Sequence, residues 1–64
     1  MEGKYLFCWL DATKGQQSQK FMIKDQLLDF IETQIATNLD FVGGNSYEKD
    51  GGRWYYLNHH GEHI

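Results

Sequence analysis

Sixty-four residues leave room for one small domain spanning residues 1–64, and a formal charge of −3 without charge blocks argues against a polyanion-binding chain. A chain of this size buries only about 60% of the surface it exposes when unfolded, so its core has little to spare. The single cysteine, Cys8, excludes an intrachain disulfide and fits a reducing compartment, which we expect to be the cytoplasm.

The six basic residues, Lys4, Lys14, Lys20, Lys24, Lys49 and Arg53, are scattered along the chain. Phosphate binding gains affinity with each cation that neutralises a phosphate, so a mildly acidic chain without a basic stripe is a poor non-specific nucleic-acid binder. The longest apolar run, Tyr5 to Leu10, is far short of the roughly 20 residues that span a bilayer. Met1 to Lys4 also lacks the basic segment and apolar stretch of a signal peptide. No membrane partner is expected. Two Trp, four Tyr and four Phe make aromatic rings the unusual feature, and proline is absent.

Lys4 to Leu10, apolar on both alternating sets, reads as a central strand. Asp11 to Gln16 carries turn residues, and Ser18 to Ile23 reads as a weaker strand pairing back onto the first. A helix is expected from about Asp25 to Asn38. The Asp25 carboxylate can accept from free backbone N–H groups of the first turn, and it suits the positive end of the helix dipole. Leu27, Leu28, Ile31, Ile35 and Leu39 fall on one face at helical spacing, with Phe30 at its border and Asn38 as a left-handed stop. Phe41 to Lys49 reads as a third strand that Gly43-Gly44 could bend. Asp50-Gly51-Gly52 is a hairpin turn, because its glycines reach positive φ without steric cost. Arg53 to Asn58 forms the last strand, and His59 to Ile64 reads as a tail or return turn. The fold class is therefore α+β: a small antiparallel sheet of three to four strands in the order β-β-α-β-β, with one helix packed on one face.

One helix covers one face, so each strand divides into a covered and an open set. Compact aliphatics pack readily under a helix, which places Leu6, Cys8, Leu10, Phe21, Ile23 and Leu57 there. Tyr5, Phe7, Trp9, Trp54 and Tyr56 then go to the open face, with Tyr47 beside them. So many uncovered rings exceed the few hundred Å² of contiguous apolar surface usual for monomers, and they suggest a partner-binding surface; the alternative is that these rings cover the helix face, or that the C-terminal tail folds over them.

The run Asp50-Gly51-Gly52-Arg53-Trp54-Tyr55-Tyr56-Leu57-Asn58-His59-His60-Gly61 resembles a single repeat of the choline-binding, cell-wall-anchoring hairpins. The resemblance covers about a fifth of the chain and implies a strand-turn-strand unit. In that family aromatic cages form between successive repeats, so Trp54 and Tyr56 would correspond to cage walls; this chain has no second repeat to close one.

Candidate chemistry is sparse. His59, His60 and Glu62-His63 supply metal-ligand types, but their spacing matches no established zinc pattern, and no metal or other cofactor is expected. Cys8 has apolar neighbours that raise a thiol pKa, Ser18 and Ser46 sit in no nucleophile elbow, and Gly43-Gly44 opens no helix. Catalytic residues are therefore not expected. The expectation is a non-enzymatic protein-binding module: a regulator, inhibitor or accessory protein, phage- or mobile-element-borne by its compact format. It would act through the ring face, with a protein partner and a homodimer as its assemblies. The alternative is a single-stranded nucleic-acid binder using the same rings as a stacking platform.

Overall fold

A computed structural model describes residues 4–64 and contains five elements: β1 (Tyr5–Asp11), β2 (Gly15–Phe21), α1 (Lys24–Thr37), β3 (Phe41–Asp50) and β4 (Arg53–Leu57). The strands form one four-stranded sheet in the order β2-β1-β3-β4, with every neighbouring pair antiparallel. The β-β-α-β-β order is the expected one, and α1 packs on β1 and β2. None of the described helices is long and apolar enough to cross a membrane.

Local chemistry accounts for the connections. Asp11 Oδ1 accepts the backbone N–H groups of Thr13 and Lys14 at 2.9 and 2.8 Å, which closes the β1–β2 turn. Gly51 and Gly52 both adopt positive φ, 59° and 82°, in the tight turn between the paired residues Asp50 and Arg53. Asn38 ends α1, but with extended backbone (φ −95°, ψ 103°) rather than the left-handed conformation. Its side chain donates to Asp11 Oδ2 at 3.0 Å and to Gln34 Oε1 at 2.9 Å. The helix therefore stops where its side-chain amide is pulled into the β1–β2 turn. At the other end Ile23 precedes the helix with no side-chain cap, and Asp25 lies within the first turn.

The register fixes the two faces. Tyr5, Phe7, Trp9 and Asp11 lie opposite Phe21, Gln19, Gln17 and Gly15 of β2, and opposite Glu48, Ser46, Gly44 and Phe41 of β3. This is the face beneath α1. The core is Tyr5, Phe7, Trp9, Phe21, Leu27 and Leu57, with Phe30, Ile31 and Phe41 packed against it. The rings interlock: Phe7 stacks on Trp9 at 5.2 Å and on Phe41 at 6.2 Å, while Phe30 meets Trp9 edge-on at 5.3 Å.

The expected face assignment is thus reversed on β1. Tyr5, Phe7 and Trp9 are core, whereas Leu6 and Cys8 are half-buried and Leu10 is exposed on the other side. Space across the strands explains the reversal. Trp9 faces Gly44 and Phe7 faces Ser46, small residues that leave room for large rings. At Gly44 a Cβ would meet the Cys8 carbonyl oxygen and would lie 2.7 Å from Trp9 Cβ, so only glycine fits there.

The helix is rotated as well. Leu27, Phe30, Ile31 and Gln34 turn toward the sheet, while Ile35 is 65% exposed and Leu39 is fully exposed. Ile23, expected under the helix, is exposed too. β3 runs through Gly43-Gly44 without interruption, but its register on β1 slips between Leu10 and Asp11. Leu10 pairs with Gly43 and Asp11 with Phe41, leaving Val42 as the extra residue of a bulge. That extra residue puts Phe41 on the core side.

Residues 58–64 form a built return turn. Asn58 Oδ1 accepts the N–H groups of His60 and Glu62 at 2.9 and 3.0 Å, and Asn58 N–H donates to Glu62 O at 2.7 Å. Gly61, buried at the bend, lies against Lys24 and Leu28 of α1.

Candidate functional site

The face opposite α1 carries Leu6, Cys8 and Leu10 from β1, Tyr47 and Lys49 from β3, and Trp54 and Tyr56 from β4. Alternation places them there because each is one residue away from a core-facing position. Tyr47 lies between Leu6 and Tyr56 in one cross-strand row, and its ring is tilted against that of Tyr56 at 4.9 Å. Burial pushes the Tyr47 phenol pKa up, and a hydrogen bond with Tyr56 pushes it further the same way. In the next row Lys49 Nζ lies 5.9 Å from the centre of the Trp54 ring. Lys20, Ser18 and Gln16 of β2 border the apolar strip on its far side.

Among the described residues no helix or loop packs on this face. Leu10 is 43%, Trp54 40% and Tyr56 57% exposed. The sheet divides the expected partner-binding set. Trp54 and Tyr56 lie on the open face as expected, with Tyr47 beside them; Tyr5, Phe7 and Trp9 lie beneath α1. The residues missed on the open face are Leu6, Cys8 and Leu10. Their signal was parity: they share a strand face with neither Trp9 nor its small cross-strand partner Gly44.

The covered face ends in a polar cluster. Glu48 Oε1 lies 2.8 Å from His63 Nε2, and Glu48 Oε2 lies 3.4 Å from Lys4 Nζ. The His63 hydrogen bond holds the Glu48 carboxyl below its ordinary pKa against the opposing effect of burial, and Lys4 and Lys24 assist. Tyr5 sits beside this carboxylate, and burial followed by the Glu48 charge raises its phenol pKa. The His63 ring stacks on Tyr55 at 4.9 Å. His59 and His60 stand apart, tilted against each other at 4.0 Å. Among the described residues no three His, Cys, Asp or Glu side chains converge as a ligand set.

Two grooves lie beside α1. One, of about 460 Å³, runs between Leu28, Ile31, Ile35 and His59-His60; the other, of about 240 Å³, has Phe7, Phe41, Gly44, Ser46 and Leu57 in its walls. Both are largely apolar. No family model, curated protein or solved structure matches the chain.

Proposed function

We propose that this chain is a small, non-enzymatic protein-binding module that docks a partner on the uncovered face of its sheet, as a regulator, inhibitor or accessory protein. The observation that carries the reading is the cross-strand row Leu6, Tyr47 and Tyr56, flanked by Trp54 on one side and by Cys8 and then Leu10 on the other, on a face that no helix or loop among the described residues covers. Tyr and Trp combine a large apolar body with a polar tip, and both are enriched at interface centres. The cations bordering the strip, Lys20 and Lys49, are too few to favour nucleic acid over protein. A cytoplasmic setting belongs to the same proposal, since Cys8 presents an unpaired thiol on this half-buried face. So does pairing with a second copy, which would support a core this small.

The test is capture of a partner by wild type, by Tyr56→Ser, by Leu10→Ser and by an Ile35→Ser control, an exposed residue of α1 on the other side of the sheet. The proposal expects loss with the two sheet-face variants, retention with the control and little response to salt. Equal capture by all four, or binding that collapses between ~50 and ~200 mM salt as phosphate contacts do, would contradict it.

A further inference from the structure

The two edges of the sheet are treated differently. Along β4 the return turn lies against the outer edge: Ile64 N–H donates to Tyr56 O at 3.1 Å, and Leu57 bridges antiparallel to His63. β2 is the opposite edge, and among the described residues no backbone hydrogen bond reaches it from beyond its partner β1. An unpaired edge is a template for another strand, and proteins usually blunt one with proline, bulges or charges. β2 has none of the first two: its pairing with β1 is unbroken over Gly15–Phe21, and Lys20 is its only charge.

We propose that β2 pairs with the β2 of a second copy, antiparallel about a two-fold axis through Ser18, so that two sheets join edge to edge. This gives the self-association proposed above a route that leaves the open face free for another partner. The self-register is complementary. With Ser18 on the axis, all seven residues overlap: Gln17 faces the second copy's Gln19, Lys20 faces its Gln16 and Phe21 faces its Gly15. No like charges stand opposite, and Lys20 meets a neutral Gln16. Gln and Ser side chains can also hydrogen-bond across the axis. Ser18 and Gln19 are exposed, so changes there need not disturb the core.

The test is sedimentation equilibrium from ~10 µM to ~1 mM, a range suited to weak, transient association. Wild type should rise from 7.5 kDa toward twice that mass. Ser18→Lys and Ser18→Glu each put like charges face to face on the axis and should weaken the dimer at least about tenfold while leaving the circular dichroism unchanged. An equimolar mixture of the two variants should restore it. Amide exchange of wild type supplies a readout independent of any substitution: outward-facing β2 amides should gain protection as concentration rises. A wild type that stays monomeric to ~1 mM, or a dimer indifferent to both Ser18 changes, would overturn the proposal. Loss in both variants without recovery on mixing would also overturn the register. A dimer broken by Tyr56→Ser but not by Ser18→Lys would place the contact on the open face and refute the edge route while sparing self-association.

Discussion

Phe7→Ala should cost the protein a large share of its stability. Phe7 is 2% exposed and touches three other rings, those of Trp9, Phe30 and Phe41, at centroid distances of 5.2, 6.3 and 6.2 Å. Removing a buried phenylalanine ring costs about 3–5 kcal/mol, from lost transfer energy and from the cavity left behind. Whole-chain stability at roughly 0.05–0.15 kcal/mol per residue amounts to about 3–10 kcal/mol for 64 residues. The substitution thus removes a third or more of the total. Phe7→Leu keeps most of the volume and should cost about 1–2 kcal/mol, which leaves a folded baseline for measurement. Tyr56→Ala removes a ring that is 57% exposed and leans on Tyr47, and it should cost less than about 1.5 kcal/mol. Urea titration followed by circular dichroism, extrapolated linearly, reads all three. If Tyr56→Ala costs as much as Phe7→Ala, the assignment of the two faces is wrong.

Gly44→Ala should destabilise by about 1–3 kcal/mol, because the added Cβ collides with the Cys8 carbonyl and with Trp9 Cβ across the strand pair; an unchanged urea midpoint would mean that β1 and β3 are farther apart than described. Acid should weaken the fold through two carboxylates. The Asn38 amide, the Lys14 N–H and the Thr13 N–H hold Asp11 below its ordinary 3.8, and His63 and Lys4 hold Glu48 below 4.5. A depressed folded-state pKa stabilises above the unfolded value, and that stabilisation is lost as pH falls through the folded one. Stability should therefore fall from about 4.5 downward, and Glu48→Gln and Asp11→Asn should each flatten that limb in urea titrations at stepped pH. An identical acid limb in both variants would remove these contacts from the account.

Element order, the helix and the Asp50–Arg53 turn were legible because each has a local cause: periodic aliphatics in α1, and paired glycines that accept positive φ. β2 runs from Gly15 to Phe21 rather than from Ser18 to Ile23; it begins earlier because polar Gln16 and Gln17 resemble loop but are held by pairing with β1. The faces of β1 were not legible, since both alternating sets, Tyr5-Phe7-Trp9 and Leu6-Cys8-Leu10, are apolar. Apolar character alone favoured the smaller set under the helix. The deciding quantity was space, supplied by Gly44 and Ser46 on the neighbouring strand, and register is needed to know that they stand opposite Trp9 and Phe7. The bulge at Val42 is likewise invisible locally, although it carries Phe41 into the core. Asp11 read as a turn residue, and its side chain also joins the β1–β2 turn to the end of α1. Of the expected surface, the half on β4 was readable and the half on β1 was not.

The sheet separates a ring-filled core from an aromatic surface, and the two tryptophans report one side each. Trp9 is 8% exposed beneath α1, and Trp54 is 40% exposed on the open face. Single-tryptophan variants, Trp54→Phe and Trp9→Phe, allow each indole to be read separately by its emission maximum and its quenching by acrylamide, with circular dichroism confirming the fold. Trp9 should be blue-shifted and resist quenching, and Trp54 should be red-shifted and readily quenched. Equal quenching of the two, or the reverse order, would contradict that separation.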